Sequence, residues 1–191
     1  MTIVIGVLAA TLSSCSLKFG VESRSESNYS EGSTENSSES ISIDGIENID
    51  IDIDAANIVI NEVDGNEVSV EFIGKSNSNR QSKVEKKGDK IVIKENYYDS
   101  GFKFGVSNFE EQKVIIGIPS SYIENLSLEY GAGNVTVKGI KVNELYIGGG
   151  AGNLEIRNIV FNSLDLEQGV GNTDIDLKEK SGDIKIGATC C

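Results

Sequence analysis

Gly131-Ala132-Gly133-Asn134, Gly150-Ala151-Gly152-Asn153 and Gly169-Val170-Gly171-Asn172 are three copies of one phrase, set a constant 19 residues apart. The apolar positions around them keep the same step: Leu126, Leu145 and Leu164, then Leu128, Ile147 and Leu166, then, past the phrase, Val137, Ile156 and Ile175. Apolar and polar residues alternate in Leu126-Ser127-Leu128-Glu129 and in Val135-Thr136-Val137. A period of two puts one face of a strand inward and the other toward water. Each unit therefore reads strand, glycine-rich corner, strand. A fixed period without insertions predicts units that stack, because no unit can bury its apolar face alone. The expected fold is all-β, a single β-solenoid of short strands.

The corners carry the expected structural residues. Gly131, Gly133, Gly150, Gly152, Gly169 and Gly171 allow positive φ and close approach of successive backbones. Asn134, Asn153 and Asn172 tolerate left-handed backbone, bond locally, and can bond to one another up the stack. A fainter copy lies in Ile49-Asp50-Ile51-Asp52-Ile53-Asp54-Ala55-Ala56-Asn57-Ile58-Val59-Ile60, with Ala56-Asn57 in place of Gly133-Asn134, and the solenoid is expected to start there. Val68–Phe72, Ile91–Ile93 and Val114–Ile116 are short β-branched runs that read as longer, decorated rungs. The connection from Asn96 to Phe109 gathers Tyr97, Tyr98, Phe102, Phe104 and Phe109, and is either an apolar plug under a long loop or an exposed contact surface. Pro119 marks the start of the regular part.

The first 15 residues form a separate region. Ile3 to Leu12 is an apolar run too short to cross a bilayer as a helix but of the size of a signal-peptide core. It ends in Leu12-Ser13-Ser14-Cys15, an order that resembles the lipobox of bacterial lipoproteins, which implies lipidation at Cys15. Met1-Thr2 carries no Lys or Arg, so the signal is expected to begin upstream. Residues 16–40 are dominated by Ser, Glu, Asn and Gly, a composition that buries too little to fold and reads as a flexible tether. Residues 41–191 then form the solenoid domain. After Ile175 the period breaks, and Gly182-Asp183-Ile184-Lys185-Ile186 leaves the last rung poorly covered, which points either to end-to-end self-association or to missing C-terminal residues.

Composition narrows the chemistry. With 17 basic and 30 acidic residues the formal charge is −13, which opposes nucleic acid as a partner. Lys83, Lys86, Lys87 and Lys90 flank Gly88-Asp89 and read as edge-strand lysines that discourage sheet pairing. There is no His, so Ser-His-Asp and Cys-His catalytic groups are excluded. Cys190-Cys191 are adjacent and fit neither a zinc site nor a disulfide framework; they read as a truncated or frame-shifted end. Calcium is weighed and set aside. Leu154 stands where a glycine-aspartate nonapeptide needs Asp, and Asp50, Asp52 and Asp54 read as the solvated face of a strand. Glu129 and Glu167 fall at equivalent positions two rungs apart, with Gly148 between them, and read as solubilising. No cofactor, metal or catalytic residue is expected.

Ile118-Pro119, the run Ile123-Glu124-Asn125-Leu126-Ser127-Leu128, the corners and Ser181-Gly182-Asp183-Ile184-Lys185-Ile186 together resemble the bacterial β-strand-repeat domain of unknown function labelled "putative adhesin", related to the toast-rack domains of envelope-stress proteins. The resemblance spans residues 41–186 and implies an envelope β-solenoid without established catalytic residues. The reading is a non-catalytic lipoprotein on the extracytoplasmic face of the cell membrane, binding a surface protein or polysaccharide as an adhesin, or serving as envelope scaffold or sensor. The competing reading is a carbohydrate-active enzyme using a groove of the solenoid. If Cys15 carries lipid, protein expressed with its genomic upstream region partitions into detergent, and Cys15→Ser moves it to the aqueous phase. Equal partitioning of the two forms refutes the anchor.

Overall fold

Ile and Val alternating with polar residues dominate the strands, and β-branched side chains favour extended backbone wherever one face is covered. The computed structural model describes residues 34–75, 80–97, 112–177 and 182–188, all within one compact unit, Glu31–Cys191. The strands are β1 (Thr34–Ser42), β2 (Asn48–Ala55), β3 (Asn57–Val63), β4 (Glu67–Lys75), β5 (Arg80–Lys87), β6 (Lys90–Tyr97) and β7 (Lys113–Pro119). There follow β8 (Ile123–Ala132), β9 (Val135–Lys138), β10 (Val142–Ala151), β11 (Leu154–Arg157), β12 (Ser163–Val170), β13 (Thr173–Asp176) and β14 (Asp183–Ala188). They build two open seven-stranded sheets, ordered β1-β4-β7-β3-β9-β11-β13 and β14-β12-β10-β8-β2-β6-β5. The fold is all-β.

The pairs β2–β3, β8–β9, β10–β11 and β12–β13 each run from the second sheet through a corner into the first, and equivalent strands pair in parallel. Residues 19 apart lie directly side by side, as in Leu126↔Leu145↔Leu164 and Leu128↔Ile147↔Leu166. Ile49 and Ile91 extend the first column and Ile51 and Ile93 the second. In the first sheet Val114, Ile58, Val135 and Leu154 form one column, and Ile116, Ile60, Val137 and Ile156 the next. All of these side chains are buried, and the inward columns of both sheets merge into one core.

Space at the corners is set by backbone. A Cβ on Gly152, where φ is 140°, would stand 1.8 Å from the Gly133 carbonyl oxygen, and one on Gly133 only 1.9 Å from that of Ala56. No side chain fits there, so glycine is obligatory once rungs stack this closely. The ladder continues across the corner: Gly133 N–H donates to Ala151 O at 2.9 Å, and Val135 N–H to Asn153 O at 2.8 Å. On the outside, Nδ2 of Asn134, Asn153 and Asn172 donates to Oδ1 of Asn57, Asn134 and Asn153 at 3.2, 2.9 and 3.2 Å. Ala56-Asn57 thus takes the place of Gly-Asn, and the amides bond in one continuous line.

The order of rungs in space departs from the order in the chain. β2–β3 does not begin the stack; it lies between β6–β7 and β8–β9, paired on both sides. Of the three runs expected to form decorated rungs, β6 and β7 join the parallel stack, whereas β4 pairs antiparallel to β7. β1 and β5 are likewise antiparallel and close one edge of each sheet. Residues 34–40, assigned by composition to the tether, form most of β1 instead, because an outer strand needs only backbone bonds from β4 and leaves Ser37, Ser38, Glu39 and Ser40 in water. Lys83, Lys86 and Lys87 do lie on the outermost strand β5, with Lys90 on β6. Cys15, residues 16–33, Tyr98 to Phe109 of the aromatic connection, and Cys190-Cys191 lie outside the described residues.

Ile147 is fully buried in the middle of the stack. Ile147→Ala should cost roughly 2–5 kcal/mol in denaturant unfolding, as a core truncation. Gly152→Ala adds backbone strain and a clash with a carbonyl that cannot move alone, and should cost more than about 3 kcal/mol. A loss below about 0.5 kcal/mol for either variant, the range of surface sites, would contradict the stacking described.

Candidate functional site

The outward face of the second sheet carries the residues alternating with the core columns, and two rows of them run across the strands. One row is Asp52, Glu129, Gly148 and Glu167; the other is Asp50, Ser127, Tyr146 and Asp165. The middle rung has lost its acidic side chain at Gly148. Its place is taken by Tyr146 from the same strand: a Cβ on Gly148 would stand 2.8 Å from the Tyr146 hydroxyl and 3.3 Å from its ring carbons. The ring lies along its own strand, between Glu129 on β8 and Glu167 on β12.

A second tyrosine uses the adjacent glycine from below. Tyr130 is buried, and its hydroxyl donates to Gln168 Oε1 at 2.8 Å, crossing the β10 rung where a Cβ on Gly149 would stand 2.4 Å from that hydroxyl. Gln168, also buried, donates through Nε2 to Gly152 O at 3.0 Å and Val170 O at 3.3 Å. Burial without a full set of partners is costly for a phenol or an amide, and this bridge satisfies both. Burial raises the Tyr130 pKa above its usual value, and the bond to Gln168 works against that rise.

These residues line an open groove of about 420 Å³, formed by Asp52, Glu129, Tyr130, Tyr146, Glu167, Gln168 and the glycines of the middle rung and its neighbours. That volume is within the range that small-molecule sites occupy. Asp52 is held by Lys94 at 2.9 Å, and Asp50 by Lys90 at 2.6 Å. Among the described residues neither Glu129 nor Glu167 takes part in an ion pair, and both are exposed. The Tyr146 pKa is raised first by burial, then by the negative charge of Glu167, Glu129 and Asp165, with a hydrogen bond to Glu167 adding to it. The flanking carboxylates thus favour the neutral, protonated phenol.

Chemically the groove offers one aromatic surface and three carboxylate acceptors. The pair Glu129 and Glu167, which read as solubilising in the sequence, is brought to one groove, with backbones roughly 10 Å apart across two strand spacings. Asp50 and Asp52 form a salted strand face, and no cluster able to hold a metal ion is found among the described residues. A second polar line escaped the sequence reading. Asn162 Nδ2 donates to Asn143 Oδ1 at 2.6 Å and Asn143 Nδ2 to Glu124 Oε1 at 2.7 Å. Its signal is the same step of 19 through Glu124, Asn143 and Asn162.

The family model for the toastrack domain DUF4097 matches residues 46–189. The chain belongs to the toastrack family. No curated protein matches it. Among solved structures, a "putative cell adhesion protein" from Clostridium sporogenes is similar at 17% identity over 74% of this chain and 71% of that one, with a TM-score of 0.54. A "putative adhesin" from Bacteroides fragilis is 16% identical over 81% of this chain and 97% of its own, with a TM-score of 0.35. A "putative lipid binding protein" from Parabacteroides distasonis is 13% identical over 82% and 94%, with a TM-score of 0.29. At these identities the first likeness speaks for the fold alone.

If like charges hold the Tyr146 phenol up, Glu167→Gln should move its titration down toward the usual tyrosine value, read by ultraviolet absorbance against a Tyr146→Phe blank. An unchanged titration would remove Glu167 from the site.

Proposed function

We propose that the domain is a non-catalytic, adhesin-like binding module of the cell envelope, whose groove takes hydroxyl-rich segments of a neutral or amine-bearing surface polysaccharide. The observation that carries this reading is the ring of Tyr146, bedded on Gly148 between the carboxylates of Glu129 and Glu167. An aromatic surface packs against the C–H face of a sugar, and carboxylates accept from its hydroxyls or from an amine. The net charge of −13 disfavours anionic polymers. Both Glu side chains are exposed in an open groove, whereas an acid for glycoside cleavage needs burial to keep its proton.

The finer features of the reading support one another. Parallel rungs in 19-residue register favour reading the domain as a solenoid coil that presents one repeated face. Lipid on Cys15 and a polar tether over the residues before the domain would place that face outside the membrane. Kinship with the toastrack family, and the Clostridium sporogenes "putative cell adhesion protein", agree with a binding role.

Calorimetric titration with neutral and amine-bearing polysaccharides tests it. Tyr146→Ala should weaken binding at least about tenfold, the loss of one stacked contact of roughly 1.4 kcal/mol, and Glu129→Gln with Glu167→Gln should weaken it further. Binding unaffected by these changes overturns the groove as the site. Release of reducing ends during incubation, abolished by Glu129→Gln or Glu167→Gln, would establish the enzymatic reading instead.

A further inference from the structure

The two ends of the stack are not alike. At one end the outermost strands are β1 and β5, both antiparallel to their neighbours. β5 bears Lys83, Lys86 and Lys87, and the exposed side chains of β1 include Ser37, Ser38, Glu39 and Ser40. Charge and polarity on an outer strand discourage pairing with another chain.

At the other end the second sheet stops at β14, whose outer edge meets no strand among the described residues. Ile184 and Ile186 pair with Leu164 and Leu166 and stand in the same inward columns. Those leucines are fully buried, whereas Ile184 is 44% and Ile186 57% exposed, and Val170 nearby is 71% exposed. An unpaired edge with apolar residues aligned to a core is a template for another strand. With one end guarded and β14 unpaired among the described residues, head-to-tail growth is disfavoured and closure by a two-fold axis is favoured.

We propose that β14 is a self-association seam, pairing antiparallel with β14 of a second copy of this chain about a two-fold axis at Ile184. In that register Ile184 faces Ile184 of the partner subunit, and Asp183 faces Lys185 of the partner subunit. The axis repeats the charge pair, so the seam holds two opposite-charge contacts. The same strand supplies both the apolar pattern and the charges that complement it, which is why the occupant is a second copy. The other strand at this end, β13, carries Asp174 and Asp176, and pairing it with itself would set acid against acid. Lys185 already holds Asp165 at 2.8 Å, so its side chain lies on the sheet face before any partner arrives.

Sedimentation of the full chain over a range of concentrations tests the seam, with reductant present so that thiols form no cross-links. A concentration-dependent dimer is expected, and Ile184→Asp should leave monomer. Asp183→Lys, which leaves the Lys185–Asp165 pair intact, should weaken the dimer roughly tenfold by turning two attractions into repulsions. Lys185→Glu should do the same, and an equimolar mixture of the two charge variants should recover the dimer. Thermal melting confirms that each variant is folded; where Lys185→Glu is not, Ile184→Asp and Asp183→Lys decide. A monomer at every concentration, a dimer indifferent to both of these variants, or assemblies that grow beyond the dimer would each overturn the proposal.

Discussion

The structure depends on one contact repeated at the corners, where the carbonyl oxygen of one rung occupies the position a Cβ of the next would need. A Cβ on Gly171 would stand 1.6 Å from Gly152 O, and Gly152 and Gly133 repeat the relation down to Ala56. Such close approach fixes the height and register of each rung together. A slip of one residue would carry every leucine and isoleucine of a strand from the core to water, so fixing the corner fixes the columns on both sides of it. The asparagine line is a consequence: with backbones locked at this spacing, each amide finds the oxygen of the one before it within hydrogen-bonding distance.

Much of this was legible because the corner and the columns share one period. Alternation tells which face of a strand is buried, and a constant step tells which residues lie side by side; both readings were available for residues 126–175. Alternation does not tell which strand is the neighbour. β2–β3 carries the same pattern whether it starts a stack or sits within one, so its place between β6–β7 and β8–β9 was not readable. The fainter rung carries Ala56 where the later corners carry glycine, and Gly133 stacks on it. The antiparallel turn of β4 against β7 is set by partners remote in the chain and left no mark in the run Val68–Phe72.

The groove shows the opposite case, a site written as a departure from the repeat. Regular rungs place leucine or isoleucine inward and a polar side chain outward, yet the middle rung has Gly148 and Gly149 in succession. Read as repeat decay, these glycines suggest a weak strand, since each adds backbone freedom and removes a packing group. In the fold each removed side chain is replaced by a tyrosine: Tyr146 outside over Gly148, and Tyr130 inside across Gly149. The signal was the coincidence of two glycines with a tyrosine two residues before them and another at the position paired with the second.

Departures from local rules that are compensated elsewhere are where function is expected, because a chain shaped only for stability has no reason to make them. Here the compensation is specific. Tyr130 and Gln168 rebuild inside the hydrogen bonding and volume that Gly149 gives up, so the rung stays anchored. That support frees the outer surface: Tyr146 can lie flat because the backbone beneath it carries no side chain and is held by its neighbours. The flanking glutamates remain in the repeat's ordinary outward positions and need no special placement. A single rung altered at two adjacent residues thus converts a uniform polar face into a groove with an aromatic floor and acidic walls, without disturbing the corners on which the stack depends.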